Sequence, residues 1–174
     1  MHIRIAFLIF FTLGAILACE LPVHAGEAGE SSLGYNPEFK FMELRQSLRE
    51  HPTGAEALPN HFSIGEYYFS QKMLKLAAES FDRLRTAEPK RSEELLANIY
   101  LLLCARSMGD KKNTALIESE LQESFSSRQF ISIFRAAKDR GWTSPLGNRY
   151  VFHEEVDRLE IKLNDKPFYT IDLS

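Results

Sequence analysis

The ionisable side chains of this sequence do not form a recognisable catalytic or metal-binding motif. His51, His61 and His153 are far apart and lack the short spacing of paired metal ligands. The run from His153 to Glu155 comes nearest to a metal cluster, and it is more typical of a solvated strand end. The sequence contains no phosphate loop, nucleophile elbow or zinc-binding helix motif. These patterns predict no metal, no cofactor and a protein that is not an enzyme.

Other reactive residues are explained by solvation and packing. The carboxylates of Glu93-Glu94, and those of Glu118 and Glu120, lie beside lysines and arginines, which is typical of solvated helix faces. Cys104 lies in an apolar run and is expected to behave as a small buried residue.

One region gathers an aromatic side chain and ionisable groups where a helical pattern changes to alternation. Its members are Trp142, Arg149, His153 and Glu154. Such convergent polar groups beside a junction of elements could line a pocket. One hypothesis for the function is therefore an envelope hydrolase or a carbohydrate-active accessory protein with its site in this region.

Residues 1–25 have the order of an export signal. A short basic head precedes an apolar run from Ile5 to Ala18, and a polar segment follows. The apolar run has about 14 residues, whereas a membrane-spanning helix needs roughly 20, which favours a removable signal over a permanent anchor. The sequence predicts an exported protein, periplasmic or extracellular.

Two processing routes compete within this signal. The small residues Val23 and Ala25 suit a peptidase that cuts after Ala25 and releases the protein. The sequence from Ile16 to Cys19 is instead similar to a bacterial lipobox, in which the signal would end at Ala18 and Cys19 would carry lipid. Both routes stay open, and in the second a lipid anchor is the expected membrane contact.

The rest of the chain has the length and apolar content of one ordinary domain. The net charge of the whole sequence is −3, with acids and bases interspersed, which argues against a nucleic-acid partner. Residues 26–35 are rich in Gly, Ser and Glu and are expected to form a flexible leader. Helical periodicity follows in residues 36–141, at Glu38 to Arg49, Pro59 to Ser70, Leu74 to Ala87, Leu96 to Tyr100, from about Asn113, and Arg128 to Arg140. The ordered part is expected to begin near Asn36-Pro37, an asparagine followed by proline at the first helical turn.

Residues 142–174 change to an alternating pattern. The predicted strands are Tyr150 to His153, Leu159 to Leu163 and Tyr169 to Leu173, with a turn signal from Asn164 to Lys166. The last two strands form a predicted β-hairpin, with the first as a candidate third strand. Because an isolated hairpin is marginal in water, this region is expected to pack on the helices or to pair with a strand of a partner. The predicted fold class is α+β and mostly α-helical.

The most specific internal pattern lies in the helical hairpin before Pro89. Its spaced positions are Ile64, Gly65, Tyr68, Ala77, Phe81, Leu84 and Pro89. Gly65 and Ala77 would let two helices approach closely, while Tyr68 and Phe81 would fill the space beside that contact. This pattern resembles the tetratricopeptide repeat (TPR) family over residues 58–124, where a worn second unit begins at Leu96 and then loses register. Any antiparallel helix pair with small residues at its crossing is the alternative.

The resemblance implies a groove, lined by the first helix of each unit, that holds a peptide or a protein segment. Carried over to this sequence, the groove residues are Phe62, Glu66 and Phe69 from the first unit and Asn98, Leu101 and Leu102 from the second. So short an array needs capping helices, for which Glu38 to Arg49 and Arg128 to Arg140 are available. A cap or the terminal hairpin could equally fill the groove, so partner binding and self-filling both stay open.

The leading hypothesis is a non-enzymatic protein–protein interaction or scaffold module in the bacterial cell envelope. It combines the export signal, the repeat-like spacing and the lack of a catalytic motif. The sequence identifies neither the partner nor the oligomeric state.

Overall fold

The computed structural model describes residues 36–54, 57–85, 91–125 and 141–172. These ranges form five helices and then a four-stranded antiparallel sheet, so the α+β class predicted from sequence is confirmed. The helices are α1 (Pro37–Glu50), α2 (Ala57–Ser70), α3 (Leu74–Arg85), α4 (Arg91–Ser107) and α5 (Lys111–Phe125). The strands are β1 (Trp142–Thr143), β2 (Arg149–Glu154), β3 (Arg158–Leu163) and β4 (Lys166–Asp172). The predicted export signal with Cys19, the predicted leader and the helix predicted at Arg128 to Arg140 lie outside the described residues.

Helix α1 begins where the sequence predicts. The Asn36 side chain accepts hydrogen bonds from the backbone amides of Glu38 (2.9 Å) and Phe39, and Pro37 occupies the first helical position. An asparagine cap satisfies amides that the first turn leaves unpaired, and proline has no amide to leave unpaired there. Phe41 then stacks on Tyr67 of α2, with ring centroids 4.0 Å apart.

Two helical hairpins follow, α2 with α3 and α4 with α5, and their turns close in the same way. Lys72 in the first turn and Gly109 in the second adopt positive φ, 61° and 71°. In each turn the next amide donates to the carbonyl five residues earlier, at 2.9 Å, which is a Schellman closure. Helix α4 has 17 residues and α2 has 14, so the second turn comes later than a strict repeat would place it.

The close approach of α2 and α3 depends on Gly65. A Cβ atom built on Gly65 would lie 2.7 Å from the Phe81 ring, well inside contact distance. Phe81 is fully buried and stacks on Tyr100 of α4, with centroids 4.7 Å apart. Gly65 therefore allows one ring to join three helices, and the close approach predicted at this position is confirmed.

The sheet is a meander in the order β1-β2-β3-β4. Asn164 and Asp165 form the two-residue turn between β3 and β4, both with positive φ (51° and 64°), as a type I′ hairpin turn requires. Strand β2 is the third strand that the sequence left open, and it pairs with β3 along most of its length. Strand β1, two residues paired with β2, was not predicted, because so short a segment carries no alternation.

One face of the sheet packs on the helices. Tyr150, Leu159, Ile161 and Ile171 point to this face and belong to the same buried cluster as the apolar residues of α2, α3, α4 and α5. A smaller cluster joins α1 to α2 and to Leu146 of the β1–β2 connection. None of the described helices is both long enough and apolar enough to span a membrane.

Candidate functional site

The groove residues predicted on α2 lie under the sheet. Phe62 is fully buried, and the Trp142 ring meets it edge-on with centroids 4.7 Å apart. Glu66 is also buried and is bonded to strand β2, while Phe69 is half-buried against Tyr100. The chain's own C-terminal strands therefore occupy this side of α2, which is the self-filling alternative.

The groove residues predicted on α4 do not share one surface with those on α2. Leu102 is fully buried in the main core, whereas Leu101 borders a cleft beside α3 and α5. Asn98 is buried, its amide nitrogen donates to the Glu94 carbonyl, and its Oδ1 has no hydrogen-bond partner among the described residues. A single concave face built from all six residues is not what the described residues form, because α4 is surrounded by core on several sides.

Glu66 is the centre of a buried polar network between α2 and the sheet. Its carboxylate accepts hydrogen bonds from the Tyr150 hydroxyl, from Asn148 Nδ2 (3.0 Å) and from Ser63 Oγ (3.4 Å). Ser144 adds a further side-chain hydrogen bond. Every partner outside α2 belongs to the segment from residue 144 to residue 150.

Burial is the main cause of the shifted pKa values of the acidic groups in this network. It raises the pKa of Glu66 from 4.5 to about 7, against the opposing effect of the four hydrogen bonds. It also raises the pKa of Tyr100 and of Tyr150 well above 10, and the nearby Glu66 carboxylate raises both further. The two hydroxyl oxygens lie 2.7 Å apart. Both phenols thus stay protonated, and Glu66 is the group that changes charge near neutral pH.

An open groove of about 820 Å³ lies on another side of α2, between α1 and α3. Its size suits a ligand or a peptide segment. The apolar part of the lining consists of Leu48, Ala57, Leu58, Ile64, Tyr68 and Leu76, together with Pro52. The charged part consists of Arg45, Arg49 and Arg83, with Glu79 and His61. We call this surface the α1–α3 groove.

The α1–α3 groove is cationic at its rim. Arg45, Arg49 and Arg83 are exposed, and Glu79 is the acidic side chain among the described lining residues. The Arg45 guanidinium also lies 5.7 Å from the centre of the Phe41 ring. The pKa of His61 is lowered, chiefly by burial and then by the positive charge of Arg83, so the ring is neutral near pH 7.

Sequence reasoning missed this groove, although part of its signal was visible. Arg45 and Arg49 are four residues apart on α1 and must therefore share a face of that helix. His61 and Arg83 carry no such signal, because only the folding of α2 against α3 brings them to the same surface.

The region of the competing hypothesis does not form one cluster. Trp142 pairs with Tyr150 and faces the helices, as Glu154 does by strand alternation, while Arg149 and His153 point to the opposite face and are exposed.

Cys104 is buried, as predicted, and burial raises its pKa to about 12, so its thiol is unreactive. Within the described ranges no group of three His, Cys, Asp or Glu side chains could hold a metal ion.

Comparisons with known proteins return no match. No protein-family model matches the chain, no curated protein matches it, and no solved structure matches it.

Proposed function

We propose that this chain is an exported, non-enzymatic binding module of the bacterial cell envelope. It holds an acidic segment of a partner protein in the α1–α3 groove. The observation that carries this proposal is the groove itself, where three exposed arginines surround an apolar floor. The N-terminal signal pattern supports export, and the repeat-like hairpins α2–α3 and α4–α5 support a TPR-like array.

The charge of the groove selects the chemistry of the partner. The exposed Arg45 and Arg49 among the described lining residues favour a segment with Glu or Asp side chains, because opposite charges across an interface speed association and exclude wrong partners. The apolar floor formed by Leu58, Ile64 and Tyr68 favours apolar residues between those acids. A protein segment that carries both features fits better than a simple anion, which would leave the floor uncovered.

A defined peptide tests this proposal. A short fluorescein-labelled peptide of leucine and glutamate is titrated with the purified protein, beside a counterpart in which glutamine replaces glutamate. We expect the acidic peptide to bind about tenfold more tightly than the neutral one, with an affinity that decreases as salt increases.

The double variant Arg45→Gln/Arg49→Gln should weaken binding of the acidic peptide about tenfold, since two rim charges contribute roughly 0.2–1 kcal/mol each. Arg149→Gln is the matched control, because this exposed arginine on β2 lies outside the groove lining. Equal binding of both peptides, or equal loss in the double variant and the control, would remove the groove from the proposal.

A further inference from the structure

The segment from Ser144 to Tyr150 is held to α2 through one carboxyl group. Asn148 and Tyr150 both donate to Glu66 Oε1, and Ser144 bonds to the same carboxylate. A fourth tie is indirect, since the Leu146 amide donates to Ser63 Oγ (3.2 Å), which in turn donates to Glu66. The polar attachment of this hairpin therefore depends on the state of a single side chain.

No positive charge compensates the Glu66 carboxylate within the described structure. The titratable groups that face it are Tyr150 from β2 and Tyr100 from α4, with the Cys104 thiol next to Tyr100. The remaining neighbours are the neutral Ser63, Ser144 and Asn148. A buried carboxylate with hydrogen bonds but no cation is costly to ionise, so closure of the sheet favours the neutral acid.

The same network can also satisfy the neutral acid. With Glu66 ionised, Tyr150 donates to the carboxylate and Tyr100 donates to Tyr150. With Glu66 protonated, the carboxyl proton can be donated to Tyr150, whose own proton then turns to Tyr100. The 2.7 Å separation of the two phenol oxygens suits either direction of donation. Protonation thus removes a buried charge, while Glu66 stays hydrogen-bonded to Tyr150 and Tyr150 to Tyr100.

We infer that Glu66 is a proton-controlled clasp that sets how tightly the C-terminal sheet closes over α2 and α4. Protonation tightens the closure, and ionisation loosens it. The sheet covers Phe62 and the neighbouring face of α2, so the clasp also controls the exposure of that face. Glu66 acts here as a positioning residue for the hairpin from Ser144 to Tyr150.

Hydrogen exchange of the backbone amides measures this closure directly. Protection of the β2 and β3 amides, corrected for the intrinsic effect of pH, is compared at pH 5.5 and pH 8. With Glu66 titrating at about 7 in the closed state and 4.5 when released, protection should fall roughly thirtyfold over this interval. Glu66→Gln, which mimics the neutral acid, should keep the protection high and independent of pH.

Glu43→Gln is the control, because it removes an exposed carboxylate on α1 that is paired with Lys40 and should leave the pH dependence unchanged. A carbon-13 titration of the Glu66 carboxyl in the unmodified protein gives an answer even if Glu66→Gln does not fold. A midpoint near 7 supports the clasp. A midpoint near 4.5, or a fall in protection with rising pH that persists in Glu66→Gln, would overturn it.

Discussion

Two sides of the same helix, α2, differ in what covers them. The side with Phe62 and Glu66 is closed by the C-terminal sheet, and the side with His61 and Ile64 borders the open α1–α3 groove. Both sides are rich in apolar residues, so hydrophobicity alone does not separate them. The difference lies in the polar groups, since the closed side has one buried acid and the open side has several exposed cations.

This contrast shows that two apolar sides of one helix can differ in their exposure to water. The covered side joins the core and stabilises the fold, because its rings are removed from water on every side. The open side keeps charged residues at its edge, where they remain hydrated. Substitutions on the two sides should therefore affect different measurements.

The largest effect is expected from Phe62→Ala. Phe62 is fully buried and contacts the rings of Phe81, Trp142 and Tyr150. Its removal should lower the free energy of unfolding by about 3–5 kcal/mol, as measured by urea denaturation. Leu76→Ala in the groove wall is the comparison, since Leu76 is 42% exposed and should cost less than about 1 kcal/mol. Similar losses in both variants would contradict the contrast between the two sides.

A smaller decrease in the free energy of unfolding is expected from Gly65→Ala. Gly65 lies between the two sides of α2. The added methyl group would meet the Phe81 ring at 2.7 Å, and overpacking of this kind typically costs 1–3 kcal/mol. The higher helix propensity of alanine returns about 1 kcal/mol, so we expect a net loss of up to about 2 kcal/mol in urea denaturation.

The double variant Gly65→Ala/Phe81→Leu should be less destabilised than the sum of its two single variants, because leucine leaves room for the new methyl group. Strictly additive losses would show that the Phe81 ring does not limit the approach of α2 and α3.

The smallest effect on the free energy of unfolding is expected from His61→Gln. The pH dependence that His61 contributes is opposite in sign to that of Glu66. The pKa of His61 is lowered in the folded protein, so the unfolded chain binds more protons and stability rises with pH up to about 6.5. The raised pKa of Glu66 acts in the opposite direction, with stability lost as pH rises from 4.5 through about 7. Because His61 is partly exposed, its contribution should be the weaker one.

Unfolding free energies measured from pH 5 to pH 8 separate these two contributions. His61→Gln should make the net fall in stability with rising pH steeper, and Glu66→Gln should convert it to a shallow rise. If the two substitutions changed the pH dependence of the unfolding free energy in the same direction, His61 and Glu66 would not contribute with opposite signs.

Local sequence patterns were sufficient to predict most of the described helices and strands. The Asn36-Pro37 cap, the Asn164-Asp165 turn and the close contact at Gly65 each depend on residues that are near in sequence or on the size of one side chain. Strand β1 was missed because its pairing with β2 is its main stabilising feature, and pairing is not a local property.

The candidate site was much less predictable. Periodicity shows that α2 has more than one apolar side, but it does not show which side the sheet will cover. The hydrogen bond between Glu66 and Tyr150 joins residues 84 positions apart, and no pattern within either segment indicates it. The α1–α3 groove has the same origin, because its cations come from separate helices.

The sequence by itself determined where most of the described helices and strands form, since capping residues, turn residues and hydrophobic periods act over a few neighbouring positions. It also left open whether the predicted groove on α2 binds a partner or is filled by the chain itself. Only the tertiary structure decided that the sheet takes the Phe62 side, that Glu66 is buried without a cation and that the arginines meet at an open groove. Those outcomes depend on how distant segments compete for the same apolar surface, and that competition is resolved only when the whole core is packed.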